Sequence, residues 1–189
     1  MHTFARIKCV LFASALISAS AHADFTVNIA EVGNDVVVTS GGTLDLSTWQ
    51  FFPGIGGDLF TQLAPSRVFL GEDAFNVDIY AAPDSFAGPS SIPVLTTGAS
   101  SGIGDSLGFD FGGTIYTPTD YVPGSSLAST DTYLDHSFVT LGLTAGETYT
   151  WTWLTAAGGQ DSFTINIVPS PAALAVFGLF GVAAGRRRR

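Results

Sequence analysis

Two features of the chain are typical of hydrolytic sites. The residues around Ser100 read Gly-Ala-Ser-Ser-Gly, the pattern that places a serine nucleophile on a strand-to-helix turn. His136, the single histidine of residues 24–168, would have to act as its base. The residues after this motif show no helical period, and Asp135 and Ser137, as neighbours of His136 along a strand, would point to the opposite face. We therefore expect a turn at Ser100, a strand-edge or turn histidine at His136 and no catalytic triad.

Carboxylates are the most abundant ionisable groups. A pair held about 5 to 9.5 Å apart across a groove can hydrolyse a glycoside. With 16 acidic residues in the chain, however, some pair meets that spacing by chance. The three glutamates, Glu31, Glu72 and Glu147, lie in no catalytic motif that we can identify. The sequence predicts a protein that is not an enzyme.

Metal binding would have to use oxygen ligands. One histidine and no cysteine within residues 24–168 provide too few ligands for an ordinary zinc site. Loop aspartates suit calcium, which prefers hard oxygen ligands, and four of them are candidates: Asp105, Asp110, Asp131 and Asp135. The sequence contains no EF-hand or nonapeptide repeat. Calcium binding and solvated loop carboxylates are the two alternatives, and no other cofactor is expected.

An aromatic row could bind sugars. Tyr149, Trp151 and Trp153 alternate with threonines and would share one face of a strand. Such a row stacks on sugar rings when it lies on an exposed concave sheet, and it forms core when it packs against a second sheet. The first alternative makes the chain a carbohydrate-binding module at the cell surface.

The elements that would position these residues are short strands separated by Gly, Pro and Ser turns. An apolar face alternates with a hydroxylated one most clearly in residues 148–154 and 162–168. The remaining predicted strands are 25–30, 35–39, 43–46, 68–70, 75–80, 93–97, 107–111, 114–117 and 137–143. With no helix predicted in the body, the expected fold is all-β: an antiparallel β-sandwich, of jelly-roll type as one variant, over residues 24–167.

The charge is sorted along the chain. Residues 24–168 hold one arginine and no lysine against 16 acids, a formal charge of −15. A body with this much negative charge repels the phosphate backbone of DNA and RNA. Nucleic acid is therefore excluded as a partner. Divalent cations, cationic surfaces and a neutral exopolysaccharide remain as partners. The only cysteine, Cys9, lies outside the body, which therefore contains no disulfide.

The first 23 residues have the pattern of a secretory signal peptide with a helical apolar region. A short cationic start is followed by the apolar residues 9–19. Ala21 and Ala23 supply the small residues at −3 and −1, so we expect signal peptidase to cut before Asp24. The protein is then exported.

The last 22 residues, 168–189, have three parts. The motif Val168, Pro169, Ser170, Pro171 and Ala172 leads into an apolar run that ends at residue 185, and the chain closes with Arg186, Arg187, Arg188 and Arg189. Residues 168–185 are long enough to span a bilayer as a helix. The four arginines would stay in the cytoplasm and leave the body outside.

This ending resembles the PEP-CTERM sorting signal of Gram-negative bacteria, with Ser170 where the commonest motif of that family has glutamate. The resemblance implies recognition by an exosortase-like membrane protease, so that an inner-membrane-anchored intermediate is processed and delivered to the outer envelope or extracellular matrix. For the body, we expect a structural or adhesive role. An ordinary single-span membrane anchor is the alternative for the same residues.

Overall fold

The computed structural model describes residues 24–59 and 61–169, which fold into thirteen strands and one short helix. The elements are β1 (Asp24–Val32), β2 (Asp35–Thr43), β3 (Gln50–Leu59), β4 (Gln62–Ala64), β5 (Arg67–Leu70), β6 (Ala74–Ala81), β7 (Thr97–Gly98), β8 (Ser101–Gly104), β9 (Leu107–Asp110), β10 (Thr114–Pro118), β11 (Ser126–Tyr133), α1 (Phe138–Leu141), β12 (Thr148–Leu154) and β13 (Gln160–Val168). The all-β prediction is confirmed.

The strands form two sheets. Sheet A has the order β12-β13-β1-β2-β11-β8, and sheet B has the order β3-β6-β10-β9-β5-β4-β7. Every pairing is antiparallel except that of β1 with β13, the first and last strands, which is parallel over residues 24–30 and 162–168. The expectation of a purely antiparallel arrangement is therefore wrong at this one pairing.

Alternating apolar residues account for the core between the sheets. Along β13, Phe163, Ile165 and Ile167 are buried while the residues between them are not. Aromatic rings join the two sheets: Phe109 of β9 stacks on Phe163 at 4.2 Å between ring centroids. Since each large apolar side chain contributes about 1.5 to 3 kcal/mol on burial, this interlocked cluster fixes which face of each strand points inward.

Three predicted strands are wrong. Residues 43–46 are mostly loop after β2, residues 93–97 are almost entirely loop, and residues 137–143 contain α1 instead of a strand. The helix forms because Ser137 and Thr140 make a reciprocal capping box at its start, and Gly142 ends it in the left-handed conformation at φ 74°. These local capping interactions favour a helix over the strand that the apolar residues of the segment predict.

The parallel pairing separates the two ends of the body. Asp24 lies at one pole of sheet A, and Val168 lies beside Ala30 at the other. The predicted signal helix and cleavage residues Ala21 and Ala23 fall outside the described residues. So do Ser170, Pro171, Ala172, the predicted C-terminal helix and Arg186 to Arg189, whereas Val168 and Pro169 lie within them. Within the described ranges, no helix has the length and hydrophobicity needed to cross a bilayer.

Candidate functional site

The hydrolase pattern around Ser100 folds as a turn between two strands. Ser100 lies between β7 and β8, and no helix follows it. Its hydroxyl accepts a hydrogen bond from the backbone N–H of Leu134 (3.1 Å), and its own N–H donates to the carbonyl of Thr132 (2.8 Å). The serine therefore ties the β7–β8 turn to the end of β11. The prediction of a turn here is confirmed.

His136 lines an open cleft of about 390 Å³ between the β1–β2 turn and the loop before α1. Its Nδ1 lies 3.3 Å from the hydroxyl of Thr140. Glu31, on the same cleft, accepts a hydrogen bond from the backbone N–H of Phe138 (2.6 Å) and so caps the helix. The polar side chains of the cleft serve the local turn and cap, and the geometry brings no nucleophile, base and orienting acid together.

The four aspartates predicted as calcium ligands are not gathered into one site. Each bonds to a backbone N–H or lies in its own turn: Asp105 accepts from Ala128 (2.8 Å), Asp110 from Gly112 (2.9 Å) and Asp131 from Gly71 (2.9 Å), while Asp135 occupies a left-handed turn at φ 56°. Among the described residues, no three His, Cys, Asp or Glu side chains form a group that could hold a metal ion. The four aspartates therefore do not form the group of side-chain ligands that a calcium site would need.

The aromatic row of β12 is core. Trp151 and Trp153 are 0% and 1% exposed, and the partly buried Tyr149 packs against the same cluster. The ring of Trp151 stacks on Phe111 at 4.5 Å, and its indole N–H donates to the carbonyl of Pro89 (2.7 Å). Stacking on a sugar requires an exposed ring face, so the sugar-stacking interpretation of this row is wrong.

The opposite side of sheet A presents a different surface. Apart from the strand-end positions, which include Asp24 and Asp35, the residues of β1, β2, β11, β12 and β13 that point away from the core form what we call the threonine face. None of them is buried, and eight of the fifteen are threonine: Thr26, Asn28, Ala30, Val37, Thr39, Gly41, Ala128, Thr130, Thr132, Thr148, Thr150, Thr152, Ser162, Thr164 and Asn166.

Strand register aligns these side chains into rows. Thr148, Asn166, Asn28, Thr39 and Thr130 lie opposite one another across five strands. The first three are joined by hydrogen bonds, from the Thr148 hydroxyl to Asn166 Oδ1 (3.1 Å) and from Asn166 Nδ2 to Asn28 Oδ1 (3.2 Å). With strands about 4.8 Å apart, the row is a regular line of hydroxyl and amide groups, hydrogen-bonded to one another over its first three members.

The threonine face carries no charge. The body has 16 acidic residues, yet all fifteen positions of this face are neutral. Asp24 and Asp35 flank it at opposite poles, each at the start of its strand. Threonine favours strands, but strand propensity alone does not exclude Asp and Glu from the middle of the solvent side of five neighbouring strands. The middle of the face is therefore uncharged, and the carboxylates on the same side of the sheet lie at its two ends, where Asp24 accepts a hydrogen bond from Ser162.

Sequence reasoning identified part of this surface and missed its extent. The hydroxylated side of residues 148–154 and 162–168 was predicted, but the five-strand surface depends on the pairing of β1 with both β13 and β2. The alternating polar residues Thr26, Asn28 and Thr39 were the available signal. Ser126–Tyr133 was not predicted as a strand, because its inward positions include polar residues, so its threonines were not assigned to any face.

Two further carboxylates are buried inside sheet A. Asp131 and Asp161 are both 0% exposed. Burial raises the pKa of Asp131 to about 7, against the opposing effect of its hydrogen bond from Gly71. Burial also raises the pKa of Asp161 to about 7, with smaller contributions from the carboxylates of Asp24 and Asp45. These are structural groups whose charge depends on pH near neutrality.

The chain matches no protein-family model, no curated protein and no solved structure. Function is therefore inferred from the chain's own residues and their geometry.

Proposed function

We propose that this chain is an exported bacterial envelope or extracellular-matrix protein with a structural or adhesive role. In this proposal, the extracytoplasmic β-sandwich 24–167 attaches to a neutral polysaccharide through the threonine face. The observation that carries the adhesive part is the absence of charge from the fifteen central positions of that side of the sheet, with Asp24 and Asp35 only at its ends, in a body of formal charge −15.

The chemistry of the face matches a polyhydroxylated partner. Hydroxyl and amide groups both donate and accept hydrogen bonds, as sugar hydroxyls do, and neutral groups can lose water at lower cost than carboxylates. The rigid sheet supplies them in fixed rows, which lowers the entropy lost on binding. Nucleic acids and anionic polymers are repelled by the surrounding carboxylates.

The export part of the proposal rests on the two ends of the sequence. The signal-peptide pattern places cleavage before Asp24, and the motif that includes Val168 and Pro169 resembles the PEP-CTERM sorting signal. The same proposal makes signal peptidase and an exosortase-like membrane protease the processing partners. The C-terminal apolar segment holds the body at the inner membrane before delivery to the outer envelope or exterior.

Adhesion is tested by affinity electrophoresis of the mature chain in gels containing neutral dextran, amylose or hydroxyethyl cellulose, with alginate as the anionic contrast. We expect retardation by at least one neutral polymer and none by alginate. Replacing the paired residues Thr26 and Thr164 by valine keeps the β-branched shape but removes two hydroxyls. Since a hydrogen bond contributes about 0.5 to 1.5 kcal/mol, the affinity should fall about tenfold.

A variant that introduces a charge on the threonine face gives a more decisive test. Thr164→Glu should abolish retardation, because a carboxylate would have to be buried under the polymer. The matched control is Thr144→Glu, an exposed loop position outside the face, which should bind as the unmodified chain does. If Thr164→Glu and Thr144→Glu bind equally well, the threonine face is not the adhesive surface.

Export and sorting are tested in the native host by cell fractionation and intact mass. The proposal expects a mature species that begins at Asp24 and lacks Arg186 to Arg189, and that depends on the membrane protease. A species that keeps the four arginines in the inner-membrane fraction would show an ordinary membrane anchor instead.

A further inference from the structure

Three carboxylates meet at the pole of sheet A where β1 begins. Asp161 accepts hydrogen bonds from the backbone N–H groups of Asp45 (2.5 Å) and Ser162 (2.6 Å). The hydroxyl of Ser162 donates to Asp24 Oδ1 (2.6 Å). We call Asp24, Asp45 and Asp161 the Asp161 junction.

The junction contains a buried carboxyl group whose hydrogen-bond partners are neutral. Asp161 is 0% exposed, and it accepts hydrogen bonds from two backbone amides. The ionisable groups that face it from the neighbouring elements are Asp24 of β1, Asp45 after β2 and Tyr121 before β11, none of which is a cation. Arg67, the sole Lys or Arg of the described residues, lies on β5 of sheet B. A buried carboxylate ordinarily requires a positive partner.

The backbone of Asp24 is held rigidly at this place. It pairs with Ser162 in the parallel ladder. A side chain at Gly42 would place its Cβ 2.0 Å from the carbonyl oxygen of Asp24, so β2 packs directly against the start of β1. Since Ser162 directly follows Asp161, the backbone nitrogen of Asp24 lies in the ladder next to Asp161.

We propose that the missing cation is the α-ammonium group created when the leader is cut off before Asp24, so that processing itself completes the Asp161 junction and stabilises the mature fold. The inference rests on the proposed export and its cleavage position. Hydrolysis of the bond between residues 23 and 24 consumes one water, leaves a carboxylate on the leader and turns a neutral amide nitrogen into an amine that is protonated at neutral pH.

The consequence for the junction is a change of charge state. With a neutral amide at Asp24, burial and the two neighbouring carboxylates keep the pKa of Asp161 raised to about 7. An ammonium in the same place favours the ionised carboxylate and lowers that pKa. By the same interaction the pKa of the ammonium rises above its ordinary range of about 7.7 to 8.0.

The test compares two forms of the chain 24–189 in detergent, both released from an N-terminal fusion so that export is not needed. One has a free amine at Asp24, and the other is acetylated there. At pH 7 we expect the free-amine form to melt about 2 to 5 °C higher. The difference should vanish near pH 10, where the ammonium loses its proton, and it should be lost in Asp161→Asn but kept in the exposed control Asp84→Asn.

A second measurement keeps the inference falsifiable if Asp161→Asn does not fold. NMR titration of the α-amine of the otherwise unmodified chain should give a pKa at least about half a unit above 8. Equal melting temperatures of the free and acetylated forms, or an α-amine pKa within the ordinary range, would overturn the inference. Failure of polysaccharide binding or sorting would leave these two readouts unchanged, so the two proposals fail separately.

Discussion

Replacing Asp131 by asparagine should remove a pH dependence from the stability of the fold. The amide keeps the oxygen that accepts the hydrogen bond from the backbone N–H of Gly71, which joins β11 of sheet A to the end of β5 in sheet B. It also keeps the volume of the side chain but cannot ionise. The Oδ2 atom of Asp131 is buried without a hydrogen-bond partner among the described residues, so its ionisation is not compensated there.

The magnitude follows from the two pKa values. Burial raises the pKa of Asp131 to about 7 in the folded chain, whereas an aspartate in an unfolded chain titrates near 3.9. Between these values the folded state holds a proton that the unfolded state releases, so the stability is full below about pH 4 and is lost as the pH rises through 7. At 1.36 kcal/mol per unit of pKa, the loss between pH 4.5 and pH 8 is at most about 3 kcal/mol.

The assay is urea unfolding at pH 4.5, 6 and 8, followed by fluorescence of the buried tryptophans. The free energy of unfolding of Asp131→Asn minus that of the unmodified chain should increase by about 2 to 3 kcal/mol between pH 4.5 and pH 8. Asp84→Asn, at an exposed position, should show no such change. A stability difference between Asp131→Asn and the unmodified chain that is the same at pH 4.5 and pH 8 would refute the reasoning.

Two matched pairs of variants test the packing by the same unfolding measurement. Gly102→Ala would place a Cβ 2.0 Å from the carbonyl oxygen of Gly71 and should cost more than about 2 kcal/mol, whereas Gly41→Ala meets only an oxygen at 3.8 Å and should change stability by less than about 0.5 kcal/mol. Equal stabilities of these two chains would show that the backbone around Gly102 and Gly71 moves apart at little cost. Tyr133→Phe removes a buried hydroxyl without a partner among the described residues and should be nearly neutral or stabilising. Tyr121→Phe removes a hydroxyl that accepts from the N–H of Leu44 and shares its one hydrogen between the carbonyl oxygens of Leu44 and Ser125, and it should cost about 1 to 3 kcal/mol; the reverse order would contradict the hydrogen-bond assignment.

The sequence was sufficient for strands with a simple alternation. Residues 148–154 were predicted with the bounds that β12 has, and residues 162–168 lie within β13. In both, large apolar side chains alternate with hydroxyls, so burial of one face decides the structure. The same alternation predicted the aromatic row but did not decide which side of it faces solvent. That depends on where the second sheet lies.

Strands with an irregular pattern were missed. Residues 126–133 have inward positions that include Ser129 and Asp131, so the period is hidden by polar groups that bond inside the fold. Residues 50–59 contain Pro53 and three glycines, and the structure accommodates them with register shifts against β6. Such strands are fixed by tertiary contacts, and the threonine face, which spans five strands, depends on the same long-range register.

The parallel pairing of the first and last strands determines how the body responds to a mechanical load. β13, which continues toward the C-terminal segment, is an inner strand with ladders to β12 and to β1 on its two sides. A pull on the chain beyond Val168 acts along β13, so it strains the hydrogen bonds of both ladders together, in shear, instead of opening them one after another. Thr164 and Asn166 of the threonine face lie on this strand, so a load between the C-terminal end and a polymer bound there passes along a single inner strand of the sheet.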